Sequence, residues 1–486
     1  MRAKIFVIWM LCFLLGALIA PFFEVDPAWW LIICLILAIN SFLLYQKRYL
    51  WATVIGLAFI FLSIYQYQNQ FLDYTILNTK FAGAKNEYIG SVGGIPTQVE
   101  HGKKVSIDLQ AVNDREQKGK ITIYTKDFPT VKFSEIINFQ AKLKPYGTTK
   151  NRLIKDRIIG EASVTKFEKI GENRTWEYRF KGWLFGIRQS FNEVIRKNLP
   201  QKEASLASGL ILGEKSFISP EFNRALQNSG TSHIIALSGY NITIILSLFI
   251  LFQRGFSRRL NLILPLLFII FFVVMTGASA SIVRAGIMGF MPIIARYLGR
   301  SSNSFIAILF SASLMVFINP FIVLYDVGFQ LSFTALCGML YLGPIVARLF
   351  SSLPETTKLI LSETVGAQLA ALPLLVFYFG RVSIISPISN LIILSLVPLG
   401  MLVSFLVGVF GLFMPWLAPI VSIPGYILLH LFYILINFFG NLPFASYQFK
   451  INSVVWLVVS YLLIIDLLLA DRKYSRTERS YGSEQK

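Results

Sequence analysis

The chain has 486 residues, of which 55% are hydrophobic, 14% aromatic and only 15% charged. That balance leaves too little polar surface for a soluble globule and reads as a polytopic membrane protein. The formal charge of +19 is concentrated in a central polar region and in short loops between apolar runs, where anionic lipid or an anionic substrate would account for it.

Uncharged runs at 5–23, 28–45 and 50–67 are each roughly 17 to 19 residues long, enough to cross the hydrocarbon core. They define an N-terminal three-helix membrane region, 1–67. Arg2 and Lys4 ahead of an apolar run ending A-L-I-A resemble a cleavable signal peptide. An uncleaved span is preferred, because the run reaches Phe23 and two more spans follow.

Residues 68–170 are rich in Lys, Glu, Asp, Gly and Thr, with no run long enough to span. Alternating apolar and polar residues at 105–109, 121–124 and 137–143 predict strands. Breakers separate them at Gly93-Gly94, Asn113-Asp114, Lys118-Gly119, Pro129 and Pro145. About five short strands favour a small all-β, OB-like domain.

Across 171–202, Trp183, Ile187, Phe191 and Ile195 recur every four residues, with Arg179, Lys181, Arg188, Arg196 and Lys197 between them. This is the pattern of a basic amphipathic helix lying at the membrane surface; a helix packed on the β domain is the alternative. Apolar runs resume over 203–470, at 233–252, 261–276, 281–295, 305–318, 328–346, 359–379, 387–414, 420–440 and 454–470. With the first three they predict about 12 transmembrane helices. Several are interrupted by Gly and Pro, as in helices that line a cavity. A polar tail, 471–486, closes the chain. Lys and Arg in the short loops place both termini in the cytoplasm and the β domain outside.

Ionisable and amide groups inside apolar runs are expensive and mark functional paths. His233, Ser238 and Asn241 share one predicted helix, and Arg284, Asp326, Gln330, Gln368 and Asn390 lie in or beside others. Arg284 needs an anionic partner, for which Asp326, Glu214 or a phosphate would serve. The alternative is that these groups only satisfy broken helix ends and one another; as a set, they read as lining or gating a polar path. An intramembrane serine protease would need His233 and Ser238 to meet, but five residues on one helix set them about 140° apart. Cys12, Cys34 and Cys337 lie in apolar runs, and three scattered histidines offer no ligand spacing, so no metal, cofactor or catalytic residue is predicted. No phosphate-binding G-x-x-x-x-G-K-[ST] loop is present, so nucleotide energy would have to come from a partner.

Four segments carry a family likeness: L-A-S-G-L-I-L-G-E-K-S-F-I-S-P-E at 206–221, F-N-R-A-L-Q-N-S-G-T-S-H-I-I-A-L-S-G at 222–239, D-V-G-F-Q-L-S-F at 326–333, and Q-L-A-A-L-P-L-L-V-F-Y-F-G-R-V-S with S-P-I-S-N at 368–390. They resemble the ComEC competence proteins, inner-membrane channels for single-stranded DNA in natural transformation, and the likeness covers nearly the whole chain. It implies a channel rather than an enzyme, in the bacterial plasma membrane, with single-stranded DNA and the lipid bilayer as partners. A separate nuclease and a cytoplasmic ATP-driven helicase or translocase would then assist. It also implies that Tyr88, Tyr124, Phe133 and Tyr146 of the β domain could stack on bases, unless they form its core. Two departures stand out. Ser238-Gly239-Tyr240-Asn241 replaces the family's S-G-L-H, putting an amide at the second histidine, and the sequence ends without the metallo-β-lactamase-like domain of many members. The strand-degrading activity is therefore expected to be separate or absent. Transport of another anionic polymer or a lipid-linked sugar is the rival reading.

Overall fold

The computed structural model describes residues 2–23, 26–43, 48–99, 102–125, 131–144, 150–214, 217–235, 242, 257–277, 280–301, 303–449, 451 and 453–484. Among them seven helical segments are long and apolar enough to span a membrane: Ile5–Phe22, Trp51–Phe81, Val327–Leu349, Glu355–Phe379, Ser386–Phe413, Ala418–Gly440 and Val454–Asp471. Shorter apolar helices cover Pro27–Leu37, Leu260–Met275 and Ser304–Ile318. Together with a mixed β domain they make this a polytopic helical membrane protein.

The chain divides into two compact units, the first comprising Met1–Arg188, Leu266–Ala278 and Ile287–Asp326. It opens with α1 (Arg2–Ile19), α2 (Pro27–Leu43) and α3 (Arg48–Phe81). Gly16 lets α1 cross α3 closely: a Cβ there would stand 2.4 Å from the Ile60 carbonyl oxygen. With 34 residues, α3 is about 51 Å long, far beyond the roughly 30 Å of hydrocarbon it crosses. Its last turns enter the β domain, where Asn78 donates to the Ile159 carbonyl and Phe81 joins the core.

The β domain contains β1 (Lys85–Val92), β2 (Thr97–Val99), β3 (Gly102–Val112), β4 (Arg115–Thr125), β5 (Glu135–Lys142), α4 (Lys150–Lys155), β6 (Gly160–Val164) and β7 (Glu168–Glu172). The strand order is β6-β4-β3-β1-β5-β7, with β2 on β3. All pairs are antiparallel except β4 with β6, and a bridge from Lys144 to Glu161 ties the segment after β5 back to β6. Alternation works as predicted: Val105, Ile107, Ile121, Ile123, Ile137 and Phe139 point into one core. Asn113 and Asp114 take φ of 48° and 62° and make the two-residue hairpin turn between β3 and β4, the geometry whose twist matches its strands.

Lys118-Gly119 is a correction, because it lies inside β4 instead of breaking it. A Cβ on Gly119 would stand 2.2 Å from Ile159 Cδ1, so this glycine admits a neighbouring side chain and makes no turn. Pro129 and Pro145 fall outside the described residues.

Next comes α5 (Trp176–Asn198). In the first unit its opening turns leave Trp176 79% and Trp183 57% exposed, Leu184 is buried, and Trp183 sets its edge on Phe271. Later helices of this unit are α9 (Leu260–Met275) from Leu266 on, the end of α10 (Ala280–Tyr297), α11 (Ser304–Ile318) and α12 (Ile322–Tyr325).

The second unit comprises Gln189–Pro265, Ser279–Gly286 and Val327–Lys486. It holds α6 (Gln201–Leu212), α7 (Pro220–Asn228), α8 (Ser232–Ile235), α13 (Val327–Cys337), α14 (Gly343–Leu349), α15 (Glu355–Phe379), β8 (Arg381–Ser383), α16 (Ser386–Phe413), α17 (Ala418–Gly440), β9 (Ser446–Gln448) and α18 (Val454–Glu484). Between α13 and α14 a π turn, Gly338–Leu342, closes i to i+5 bonds. That wider turn swings Gly338 and Gly343 onto one face, where both meet Gly366 of α15: a Cβ on Gly338 would be 2.4 Å from the Gly366 carbonyl. Small residues at such a crossing are how membrane helices gain contact without a hydrophobic drive. The end of α5 packs here, with Phe191 filling the space over Gly408 of α16.

Candidate functional site

Helix α7 ends in N-S-G-T, and Gly230 at φ +75° sits just past its cap. The Thr231 N–H donates to Leu226 at 3.0 Å and that of Gly230 to Gln227 at 3.2 Å, so the last carbonyls are satisfied as the chain reverses. Around this turn gather the hairpin of β8 and β9 and the first turn of α16. Ser383 Oγ donates to the Asn228 carbonyl at 2.7 Å, and Ser389 Oγ to the Ser229 carbonyl at 2.6 Å. Asn228 Nδ2 reaches the Gly440 carbonyl at 3.1 Å, while its Oδ1 accepts from Ser446 at 3.0 Å and from Arg381 at 3.3 Å. Gln368 of α15 closes the network, donating to the Ser383 carbonyl at 2.7 Å and accepting from Ser386 Oγ.

This polar knot joins the turn after α7 to residues 368–389 and 440–446, both far from it in sequence. Each bond is modest, but every broken one would strand a polar group in an apolar surrounding, at about 1–3 kcal/mol. Gln368 therefore belongs to a satisfied network. His233 stands at its margin on α8, with an exposed ring whose Nδ1–H donates to the Gly230 carbonyl at 3.1 Å, leaving Nε2 to accept. Ser238 and Asn241, with the S-G-Y-N departure, lie outside the described residues.

Arg284 differs from all of these. It lies in the second turn of α10 and is 7% exposed. Its guanidinium is 5.7 Å from the centre of the Phe333 ring, and Nη1 has no hydrogen-bond partner among the described residues. Of the candidate anions, Asp326, 4% exposed, pairs with Lys155 at 3.1 Å. Asn390, 5% exposed on α16, also keeps a buried Oδ1 without a hydrogen-bond partner among the described residues. Gln330 is half-buried on α13.

In the β domain Tyr88 has no exposed surface and stacks on Phe139 at 5.6 Å, so it offers no face to a base. Burial raises its phenol pKa above the ordinary value. Phe133 is covered by α5, stacked on Tyr178 at 5.6 Å and edge-on to Phe185 at 4.9 Å. Tyr88 thus belongs to the core of the β domain, while Phe133 stays half-buried against α5. Tyr124 stays half-buried with its hydroxyl on Glu161, opposite Lys104 across the strand pair. Tyr146 is outside the described residues.

One pair was missed in the sequence. Glu203, 3% exposed on α6, receives Nδ1 of His430 from α17 at 2.8 Å, and Tyr426 stacks on that ring at 5.3 Å. The signal was present: a histidine central to an apolar run and a carboxylate opening another each require a partner. Among the described residues no cluster of His, Cys, Asp and Glu could hold a metal ion.

Apolar helices broken by Gly, Pro and a π turn, with a buried polar knot and a buried arginine whose Nη1 has no hydrogen-bond partner among the described residues, are the features of a polytopic membrane protein with polar groups inside its helix bundle. The chain belongs to the competence-protein family, whose profile matches residues 210–473. It is 27% identical over 281 residues to ComE operon protein 3 of Bacillus subtilis (strain 168), an alignment covering 56% of this chain and 35% of that relative. The chain thus spans about a third of that relative's length. No solved structure matches it.

Proposed function

We propose that this protein is a plasma-membrane channel that passes single-stranded DNA into the cytoplasm during DNA uptake. Arg284 carries the reading. A buried cation whose Nη1 has no hydrogen-bond partner among the described residues is costly in a membrane helix, and a passing phosphodiester would supply an anion for it. The guanidinium can grip two phosphate oxygens at once, whereas the nearby Phe333 face holds it only weakly. Membership of the competence family supplies the polyanion's identity as DNA.

Sidedness follows from the first unit. Lys155 of the β domain pairs with Asp326, and Asn319 donates to the Lys155 carbonyl at 2.9 Å, so the end of α11 lies on the β-domain side. Arg296 and Arg300 fall at the opposite end of that helix. Basic loops favour the cytoplasm, which supports an extracytoplasmic β domain in a bundle of about 12 spans. A meander of β1, β3 and β4, a fourth strand beside the first, and a parallel β4–β6 pair support the OB-like reading, with Tyr124 and Lys104 on an outer face that suits a single strand. The protein acts as a conduit, not an enzyme, with a nuclease and an ATP-driven motor as separate partners.

The test is transformation of a naturally competent host in which this chain is the working copy. Removing a buried cation whose Nη1 has no hydrogen-bond partner among the described residues should not destabilise the fold. Arg284→Ala should therefore keep expression and thermal stability while cutting uptake roughly tenfold or more, with Arg284→Lys intermediate. Uptake at the wild-type level in Arg284→Ala overturns the reading. Equal, salt-sensitive binding of an acidic polysaccharide and single-stranded DNA by the full chain would move it to another anionic polymer.

A further inference from the structure

At the base of the β domain a pocket of about 460 Å³ is lined by Gln70, Asp73 and Ile76 of α3, Gln117 and Lys118 of β4, and Arg157 just after α4. Its level in the membrane can be read from α3. The uncharged run ends at Tyr67, and Gln70 and Asp73 lie about 4.5 and 9 Å further along the axis. The headgroup layer beyond the hydrocarbon is about 5–8 Å thick on each side, so both residues fall within or at the edge of it. A belt of aromatic residues marks the same level independently. Trp30 donates to Gln68 at 2.8 Å, Tyr67 and Tyr325 share a hydrogen bond of 3.1 Å, and Trp29 is 61% exposed. Tyr and Trp gather where headgroups meet acyl chains.

The chemistry of the lining is mixed. Arg157 occupies the left-handed region at φ 55°, a conformation usually left to glycine after a helix. Its Nη2 bonds to Gln70 Oε1 at 2.9 Å and to the Ile318 carbonyl, and its buried Nε has no hydrogen-bond partner among the described residues. Lys118 and Asp73 are exposed at the rim. Exposed Leu72 continues the surface of α3 between them and the hydrocarbon.

We propose that this pocket holds the headgroup of a zwitterionic phospholipid, its phosphate between Lys118 and Arg157 and its ammonium group toward Asp73. Two cations and one carboxylate lining the same pocket match a phosphate joined to an amine. A nucleic-acid strand brings only negative charge and would be repelled by Asp73, and the pocket is lined by no aromatic ring on which a base could stack. Free phosphate lacks both the ammonium group and the acyl chains that Leu72 flanks. Bound there, a lipid fastens the β domain to the leaflet beneath it, whatever the channel carries.

The test is native mass spectrometry of the delipidated full chain, titrated separately with phosphatidylethanolamine, phosphatidylglycerol, diacylglycerol, glycerophosphoethanolamine and a single-stranded oligonucleotide. One tight phosphatidylethanolamine adduct is expected, weakened about fivefold by each of Lys118→Gln and Arg157→Gln. Asp73→Asn should abolish the preference for phosphatidylethanolamine over phosphatidylglycerol. Lys118 is at the surface, so Lys118→Gln reports on binding even if Arg157→Gln fails to fold. The proposal is overturned if diacylglycerol binds as well as phospholipid, if glycerophosphoethanolamine binds as tightly as the lipid, if the oligonucleotide displaces the lipid, or if Lys118→Gln leaves occupancy unchanged. DNA uptake is not the readout, so failure here leaves the channel reading intact.

Discussion

Gly230→Ala is the sharpest probe of the polar knot. The backbone there is left-handed, at φ +75°, which costs an L-residue about 1–2 kcal/mol. The new Cβ would also stand 2.4 Å from Ser386 Cβ and 3.0 Å from Ser383 Cβ. Neither contact involves the far end of a flexible side chain, so the backbones of β8 or α16 must move, at a further ~1–3 kcal/mol. The sum, about 2–5 kcal/mol, is large for one methyl group, and is read by equilibrium unfolding of the full chain in mixed micelles. Ser386→Gly removes the nearest atom but not the backbone strain. In that background Gly230→Ala should cost only about 1–2 kcal/mol, a coupling of at least ~1 kcal/mol between the two sites. Additivity within ~0.5 kcal/mol would show that α7 and α16 do not meet as described, and the knot would lose its basis.

Two further tests concern the β domain. Burial, and then the hydrogen bond to Asp108 at 2.7 Å, push the Tyr178 phenol pKa above its usual range. The folded chain keeps this proton at a pH where the unfolded chain has released it. The stabilisation is therefore complete below about pH 10 and falls as pH rises beyond it. Tyr178→Phe should remove that extra slope from unfolding curves taken across this range, and an unchanged slope refutes the contact. Gly119→Ala should cost about 1–2 kcal/mol by pressing on Ile159 Cδ1, and Ile159→Val, which deletes that atom, should recover most of the loss; no recovery would mean that Gly119 serves the backbone instead.

Alternation of apolar residues located β3, β4 and β5, because a half-buried strand writes its faces into a period of two. Length and apolarity likewise marked most of the spans. Lys118-Gly119 misled because a glycine that makes room for a neighbour has the same letter as one that turns the chain. Tyr88 and Phe133 could not be sorted from the sequence, since an aromatic ring suits a core and a base-stacking surface equally well. Their fates depend on Phe139 and on Tyr178 and Phe185, partners fixed only by packing. The pair of Glu203 and His430 was hidden for a related reason: 227 residues separate two groups that each looked isolated.

The polar residues of the membrane helices divide by what they touch, and the division bears on function. Asn228, Gln368, Ser383, Ser386 and Ser389 belong to the segments that carry the family likeness, yet they bond to one another. A bundle needs that network merely to hold a reversed helix end against a hairpin, so the likeness in those segments is accounted for by the fold. Nη1 of Arg284 and Oδ1 of Asn390 have no such explanation, since each atom is buried and has no hydrogen-bond partner among the described residues. A cation without an anion and an acceptor without a donor cost the resting fold free energy. A phosphodiester strand with amino-bearing bases offers what each lacks. These two residues, rather than the motif-rich knot beside them, are where substitution should separate transport from stability.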